Sequence, residues 1–308
     1  RDEVLAEMGG WAESLVKAEH PGAEHELLEA LWVMQGFHAV RPRYLKRALR
    51  SPNKHARAAA TRILCFQRRE IPEAMELLTT QVNDEFSRVR LEAIRACSWF
   101  DGVEAVEVAL QALNHPRDYY IDYTLGETVR QLKKDWNPAL AAGLPVAVNH
   151  PAGLDYLLAR LTIPELARLK PSRVVFSELV SRPRVPMAQR HRALDGLAKL
   201  NGTDRLTELV AAIGVSDAGD ATDAELVLFD LAHMLTGQAP QKLVAARKQL
   251  ERMATKSGRG VTRQIGFAAL LTADGKSAAA WQLAEGSGSG RLDLMQGLSL
   301  VPDPALRN

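Results

Sequence analysis

The stretch QVNDEFSRVRLEAIRACSWF (Gln81–Phe100) decides the fold. It begins at the end of one apolar stripe, breaks at Asn83-Asp84-Glu85, and resumes with Val89, Ala93, Ile94 and Cys97. These lie three and four residues apart, the period of a helix face and not of a strand. The arrangement recurs on both sides. SPNKHAR (Ser51–Arg57) starts 32 residues upstream of Asn83 and HPRDYYID (His115–Asp122) starts 32 downstream, with Arg57, Arg90 and Asp122 following in step. Before the turns come Leu45, Ala48 and Leu49, then Ala74, Leu77, Leu78 and Val82, then Val106, Ala109, Leu110 and Leu113. After them come Ala56, Ala60, Ile63 and Leu64, and finally Ile121, Leu125, Val129 and Leu132. Each stripe is one face of a helix too short to be stable alone. Stacking helix pairs buries the stripes, at about 1.5–3 kcal/mol per large aliphatic side chain.

Working outward, an earlier pair fits Arg1–Glu19 and Glu24–Val40, the latter carrying Leu27, Leu28, Leu31, Trp32 and Phe37. After Trp136 the pattern degrades, and the Pro- and Gly-rich stretch Asn137–Gly153 reads as an irregular connection. Helix pairs then resume. Gly202 reads as a helix stop, Thr203 as the next N-cap, and Thr222-Asp223-Ala224-Glu225 as a capping box. Loops are expected at 237–240, 257–260 and 286–290, and no strand run appears. The fold expected is all-α, a solenoid of antiparallel helix pairs, regular over residues 1–136 and irregular over 137–308 within the same stack. Val89-Arg90 resembles the HEAT pattern, whose second helix commonly opens with a hydrophobic residue followed by arginine.

Composition narrows the classes. The chain is 46% hydrophobic over 308 residues, enough for a sizeable core, and 25% charged, which argues against wholesale disorder. No apolar run is long enough to cross a bilayer, so no membrane insertion is expected from this segment. Arg1 in place of Met points to an excised or processed segment, whose export signal would lie outside it. The net charge of +2 hides an asymmetry. Residues 1–40 hold eight acidic side chains against Arg1 and Lys17, whereas residues 41–70 hold ten basic ones against Glu70. Either the two segments attract each other, or the basic one, with Arg43, Arg47, Arg50 and Arg57, docks an acidic partner or a phosphate backbone.

Few motifs carry chemistry. Cys65 and Cys97 sit at near-equivalent repeat positions on apolar faces and read as core thiols, too far apart for a disulfide and without a CxxC or CxxCH. His25-Glu26-Leu27-Leu28-Glu29 resembles the start of a zincin helix, but Glu29 replaces the second histidine. The run Gly286–Gly290 follows a helix and not a strand, so it reads as a loop and not a phosphate cradle. Asn201-Gly202-Thr203 matches a glycosylation acceptor that the helix-stop reading already explains. His115, Asp118, Tyr119, Tyr120, Asp122 and Tyr123 crowd one turn and helix start. They form either a recognition surface or a wall whose hydroxyls bond nearby loops. Asp84, Arg90 and Arg57 fit a ladder of ion pairs between repeats. No catalytic, metal or cofactor-binding residue is assigned, and no reaction is expected of this segment.

Longer stretches carry a more specific resemblance. EALWVMQGFHAV (Glu29–Val40), ARAAATRILCF (Ala56–Phe66), Gln81–Phe100, ALNHPRDYYIDYTLGETVRQL (Ala112–Leu132), NHPAGLDYLLARL (Asn149–Leu161), GLAKLNGTD (Gly196–Asp204) and VTRQIGFAAL (Val261–Leu270) are similar to one family. They resemble the helical segment of the planctomycete-type (PVC-type) membrane-bound dehydrogenase-like, c-type haem-binding proteins, over about residues 24 to 306. In that family a sugar-dehydrogenase-like propeller precedes the segment and a cytochrome c domain with CxxCH follows it. The resemblance implies a periplasmic or cell-envelope protein in which this segment spaces or docks an oxidoreductase domain against a cytochrome. Haem c is then expected only in a flanking domain, and the partners are proteins or neighbouring domains of the same polypeptide. The alternative, a HEAT solenoid binding nucleic acid through residues 41–69, is disfavoured by the low net charge and by basic residues spread over both helices of a repeat.

Overall fold

A computed structural model describes every residue except 18, 19, 21, 40, 220–223, 287 and 308. The described residues form α-helices, short 3-10 turns and loops, with no strand among them. The chain is all-α, built from antiparallel helix pairs, and it divides into two compact units, Arg1–Arg160 and Leu161–Asn308.

The first unit holds four helix pairs and two further helices. The pairs are α1 (Asp2–Val16) with α2 (Ala23–Gly36), α3 (Pro42–Ala48) with α4 (Lys54–Phe66), α5 (Ala74–Val82) with α6 (Ser87–Cys97), and α7 (Val103–Leu110) with α8 (Tyr119–Gln131); α9 (Lys133–Ala141) and α10 (Pro151–Leu158) follow. Second helices stack on second helices, α2 on α4, α4 on α6 and α6 on α8, while α7 packs between α5 and α9. Most of the stripes read from the sequence form the core, but Trp32, read into the stripe of α2, is exposed, and Leu77 and Leu113 are only partly buried. Ile63, Leu64, Val89, Ala93, Ile94, Cys97, Ile121, Leu125 and Val129 are all buried.

Local chemistry starts the second helices. Asn53 caps α4 by accepting from the backbone N–H groups of His55 and Ala56, and Asp118 caps α8 by accepting from Ile121. Between these caps the turns are held by arginine. Arg57 Nη1 donates to the carbonyls of Ser51 (3.0 Å) and Pro52 (3.4 Å), while Nε and Nη2 grip both oxygens of Asp84 in the next turn at 2.7 and 3.0 Å. One repeat on, Arg90 Nη1 donates to the carbonyls of Asp84 (2.8 Å) and Glu85 (2.9 Å), and Nη2 reaches the carbonyl of Pro116 at 2.8 Å. A guanidinium has five donors in a rigid fork, so one side chain closes its own turn and ties it to the next. The expected ion-pair ladder is therefore corrected in part. Arg57 pairs with Asp84, but Arg90 has carbonyl partners, because Pro116 stands where Asp84 stands one repeat earlier.

The connection expected over Asn137–Gly153 is shorter than that. α9 continues through Pro138 to Ala141, and α10 starts at Pro151, leaving only 142–150 between them. Proline removes one helical hydrogen bond. The fully buried Trp136, whose indole N–H donates to the Val129 carbonyl at 2.9 Å, anchors the helix across that gap.

The second unit holds α11 (Ile163–Arg168), α12 (Arg173–Ser181), α13 (Met187–Asn201), α14 (Arg205–Ala218), α15 (Ala224–Thr236), α16 (Pro240–Ala245), α17 (Arg247–Lys256), α18 (Gly260–Asp274), α19 (Ala278–Glu285) and α20 (Gly290–Gly297). Gly202 ends α13 in the left-handed region at φ 66°, as its helix-stop reading requires. The N-cap of α14 is Asp204, not Thr203. The Asp204 carboxylate accepts from Leu206 and Thr207, and the Thr203 hydroxyl is turned to Glu208 instead. The capping box expected at Thr222–Glu225 includes residues 222 and 223, outside the described residues. At Gly266, a Cβ would lie 2.5 Å from the backbone nitrogen of Ala254, so α17 and α18 approach closely through this glycine. The arginine device returns here. Arg263 donates to the carbonyls of Ser257 and Gly258, both at 3.1 Å, and to Asp293 at 2.7 Å. Arg307 likewise donates to the carbonyls of Val301 and Pro302.

Both cysteines are free and buried. Burial pushes the Cys97 thiol up to about 12, with Cys65 nearby adding to the effect, and burial also raises Cys65. Because the thiolate is the reactive form, iodoacetamide at mildly alkaline pH is expected to label neither cysteine in the folded chain and both after denaturation. Rapid labelling of Cys97 in the native state would contradict this placement.

Candidate interaction surface

The second helices of the first unit bury one face and present the other. In register at 33, 33 and 32 residues, the outward positions form rows that run across α2, α4, α6 and α8. One row reads Val33, Phe66, Trp99 and Gln131, with Trp32 beside its first member. Phe66 and Trp99 are 53% and 54% exposed, and Trp32 and Val33 are exposed too. The next row reads Glu29, Arg62, Arg95 and Glu127. A third passes through Leu91 and Tyr123, and Tyr156 of α10 follows 33 residues after Tyr123.

Tyr119, Tyr120 and Tyr123 are the most open aromatic side chains of the face, at 74%, 68% and 61% exposure. Tyr119 meets Tyr120 edge-on with ring centroids 5.5 Å apart and stacks on Tyr123 at 6.3 Å. The Asp118 cap fixes the first turn of α8, so these three residues project together from N1, N2 and N5. No hydrogen bond joins their hydroxyls to another described residue, so the cluster is a surface and not a bonded wall. Arg117 pairs with Asp122 at 3.0 Å beside it, and the Arg160 guanidinium lies over the Tyr156 ring at 3.3 Å.

His115 does not join the tyrosines. Its Nε2 lies 2.9 Å from the Asn83 Oδ1 of the preceding repeat, and His150 bonds Asn114 in the same way. Asn83 Nδ2 is already donating to Thr79 and Gln111, so its Oδ1 accepts and His115 Nε2 donates. Both histidines are inter-repeat ties.

On α3 the basic cluster is neutralised from within. Arg43 pairs with Glu13 at 2.7 Å, Arg47 with Glu24 at 2.5 Å, and Lys46 with Glu73. Glu13 of α1 and Glu24 of α2 thus hold α3, as mutual attraction of the two segments predicts, and Glu73 before α5 adds a third pair. Arg43 and Arg47 lie on the first helix α3 and Arg50 in the turn after it, away from the tyrosines on α8. Arg57, expected at the surface, is corrected to a clamp residue. Its side chain is 11% exposed, and the hydrogen bond to Asp84 raises its pKa further. A duplex would find few free guanidinium groups on α3.

The chain's residues do not fit a haem attachment. Cys65 and Cys97 sit on separate helices with both thiols buried, whereas thioether attachment needs an accessible CxxCH pair. His25 Nε2 lies 3.4 Å from Glu29, an ordinary one-turn pair, and among the described residues no three His, Cys, Asp or Glu side chains gather to hold a metal. No helix among them is long and apolar enough to cross a membrane.

Sequence reasoning located the tyrosines and the clamp arginines but missed the Phe66–Trp99 row. Its signal was present, since Val33, Phe66 and Trp99 recur at the repeat period, but apolar residues at that spacing read as core until the buried face is fixed.

No match to a curated protein was found. Among solved structures, the complex of CpcE and CpcF of phycocyanin lyase from Nostoc sp. PCC7120 is similar at 18% identity, covering 85% of this chain and 93% of that chain, with a TM-score of 0.30. Residues 42–129 match the family HEAT repeats. That match spans α3 to α8, including all three repeated turns and both arginine clamps, and this part of the chain is similar to a run of HEAT repeats.

Proposed function

We propose that the chain is a non-catalytic helical-repeat scaffold that takes a protein partner on the second-helix face of residues 1–160. The observation that carries this reading is the set of exposed aromatic side chains on that face, Phe66 and Trp99 in repeat register where α4 and α6 end, and Tyr119, Tyr120 and Tyr123 clustered where α8 begins. Aromatic residues and arginine dominate binding energy at protein interfaces, and truncating one such anchor commonly costs about 2 kcal/mol or more. A surface without a partner has little reason to leave several aromatics open together.

The finer proposal rests on the sequence resemblance. The scaffold lies within a larger, envelope-located redox polypeptide and spaces or docks a dehydrogenase-like domain against a cytochrome c domain, which carries the haem. Purified domains of that kind should then bind this chain at micromolar concentration. Absence of binding removes the docking version.

The general reading is tested by photo-crosslinking in the cells that make the protein. Benzoylphenylalanine placed at position 99 or 123 is expected to give a discrete protein adduct, and the same group at position 43, on the first-helix side, is not. Adducts of equal yield at all three positions, or none at 99 and 123, would reject the face.

A further inference from the structure

Resting on the scaffold reading, we propose that the α4–α6 part of this face takes an acidic protein segment carrying an aromatic or large aliphatic side chain. The charge there is one-sided. α4, α6 and the turns after them present Lys54, Arg62, Arg68, Arg69, Arg88 and Arg95, against Glu70, Glu92 and Asp101. Glu92 is buried and shared. Arg88 approaches it at 2.8 Å and Arg95 at 3.3 Å, so one carboxylate serves two guanidinium groups. Arg62, one helix away in the same row, has no hydrogen-bond or ion-pair partner among the described residues.

Apolar walls stand beside these charges. Arg68 is fixed by the carbonyls of Cys65 (2.9 Å) and Trp99 (3.0 Å), with its guanidinium 5.5 Å from the Trp99 ring centroid. That contact braces the exposed indole without covering it, and Phe66 offers a second open ring one helix over. A ligand matching this patch places carboxylates over Arg62 and Arg95 and an apolar side chain between Phe66 and Trp99.

The width of the patch selects protein over nucleic acid. The arginine row is bounded by Glu29 on α2 and Glu127 on α8, which pair with His25 and Arg130. Neighbouring helices are about 8–10 Å apart, so the positive track is only two helices wide, roughly 20 Å. About six residues of extended chain span that distance. A phosphate backbone continuing past α4 or α6 would meet carboxylates, whereas a short acidic segment ends before them.

The test uses the full chain and three fluorescein-labelled probes of about 12 units, a length that overreaches the track. They are a Glu/Asp-rich peptide with a central Trp-Leu, its Gln/Asn counterpart, and single-stranded DNA. The acidic peptide is expected to bind at least about tenfold more tightly than either other probe, to weaken with added salt, and to lose about tenfold in both Arg62→Glu/Arg95→Glu and Phe66→Ala/Trp99→Ala. All four side chains reach solvent, and the buried Glu92 keeps Arg88 when Arg95 is replaced, so these variants are expected to fold, and circular dichroism checks this. Equal affinity for the neutral peptide, tighter binding of DNA, indifference to the charge reversal, or no binding of the acidic peptide each overturns the proposal. If the acidic peptide fails while crosslinks form at positions 99 and 123, the scaffold reading stands and only the acidic chemistry falls.

Discussion

Ile94→Asp is expected to unfold the regular array of the first unit. Ile94 is fully buried at the centre of α6, between α4 and α8, and its backbone carbonyl accepts from the buried Thr128 hydroxyl at 3.2 Å. The substitution removes an aliphatic side chain worth about 1.5–3 kcal/mol of burial and places an unpaired carboxylate in the stack. Together these should cost about 4 kcal/mol or more, comparable with the whole stability of a modest domain. Hydrogen exchange is the suitable measurement, because it reports each helix separately in a chain of two units. Amides of α4, α6 and α8 should lose protection together, since every repeat is stabilised by its neighbours. Leu91→Asp, three residues away on the partly exposed side of the same helix, should leave them largely protected. Equal behaviour of the two variants would mean that the faces of α6 are assigned wrongly.

Arg90→Met comes next in magnitude. Methionine keeps much of the apolar stem but abandons three carbonyls, those of Asp84, Glu85 and Pro116. Arg90 is 4% exposed, so water does not readily replace the lost donors. Hydrogen bonds to a charged group are worth roughly 1.5–3 kcal/mol each, but they are not additive, and a total near 3 kcal/mol is expected. Arg90→Lys should recover only part of it, because a point charge cannot hold its own turn and the next one at once. The readout is protection of the first turns of α6 and α8, with Arg62→Met as a control that breaks no bond. A lysine variant indistinguishable from wild type would show that charge alone, and not the fork, is what the turn needs.

Much of the first unit was legible because its signals are periodic. Ile63, Ile94 and Val129 announce one buried face through spacing alone, and the turns announce themselves through Pro52, Asn53 and Asp84. The arginine device was half legible. Arg57 and Arg90 recur at the repeat length, but which oxygen each grips depends on whether Asp84 or Pro116 occupies the facing turn. Pro138 misled, because a proline reads as a breaker where the burial of Trp136 holds the helix. Thr203 and Asp204 compete for one capping position, and only the geometry of the turn chooses between them. Of the surface, the tyrosines stood out because three adjacent aromatics in a polar turn are unusual. Phe66 and Trp99 did not, since an isolated aromatic at helical spacing resembles any core residue until its helix is rotated into place. The basic segment seemed available for a ligand because pairs such as Arg43–Glu13 are separated by 30 residues in the sequence.

The repeats are fastened unequally at their two edges. Where second helices begin, Arg57 and Arg90, each largely shielded from water, add to the exposed ties of His115 and His150. Where those helices end, the fastenings are Arg68 to the Trp99 carbonyl, Gln131 to the Ser98 carbonyl, and Lys134 to Asp101, all at the solvent boundary. Solvent competes with the second set and scarcely with Arg57 and Arg90. Under load the stack should therefore open like a book, with its spine along the arginines. Phe66 and Trp99 stand at the page edges, so the gap between them can adjust to what enters while the spine keeps the repeat count and order unchanged.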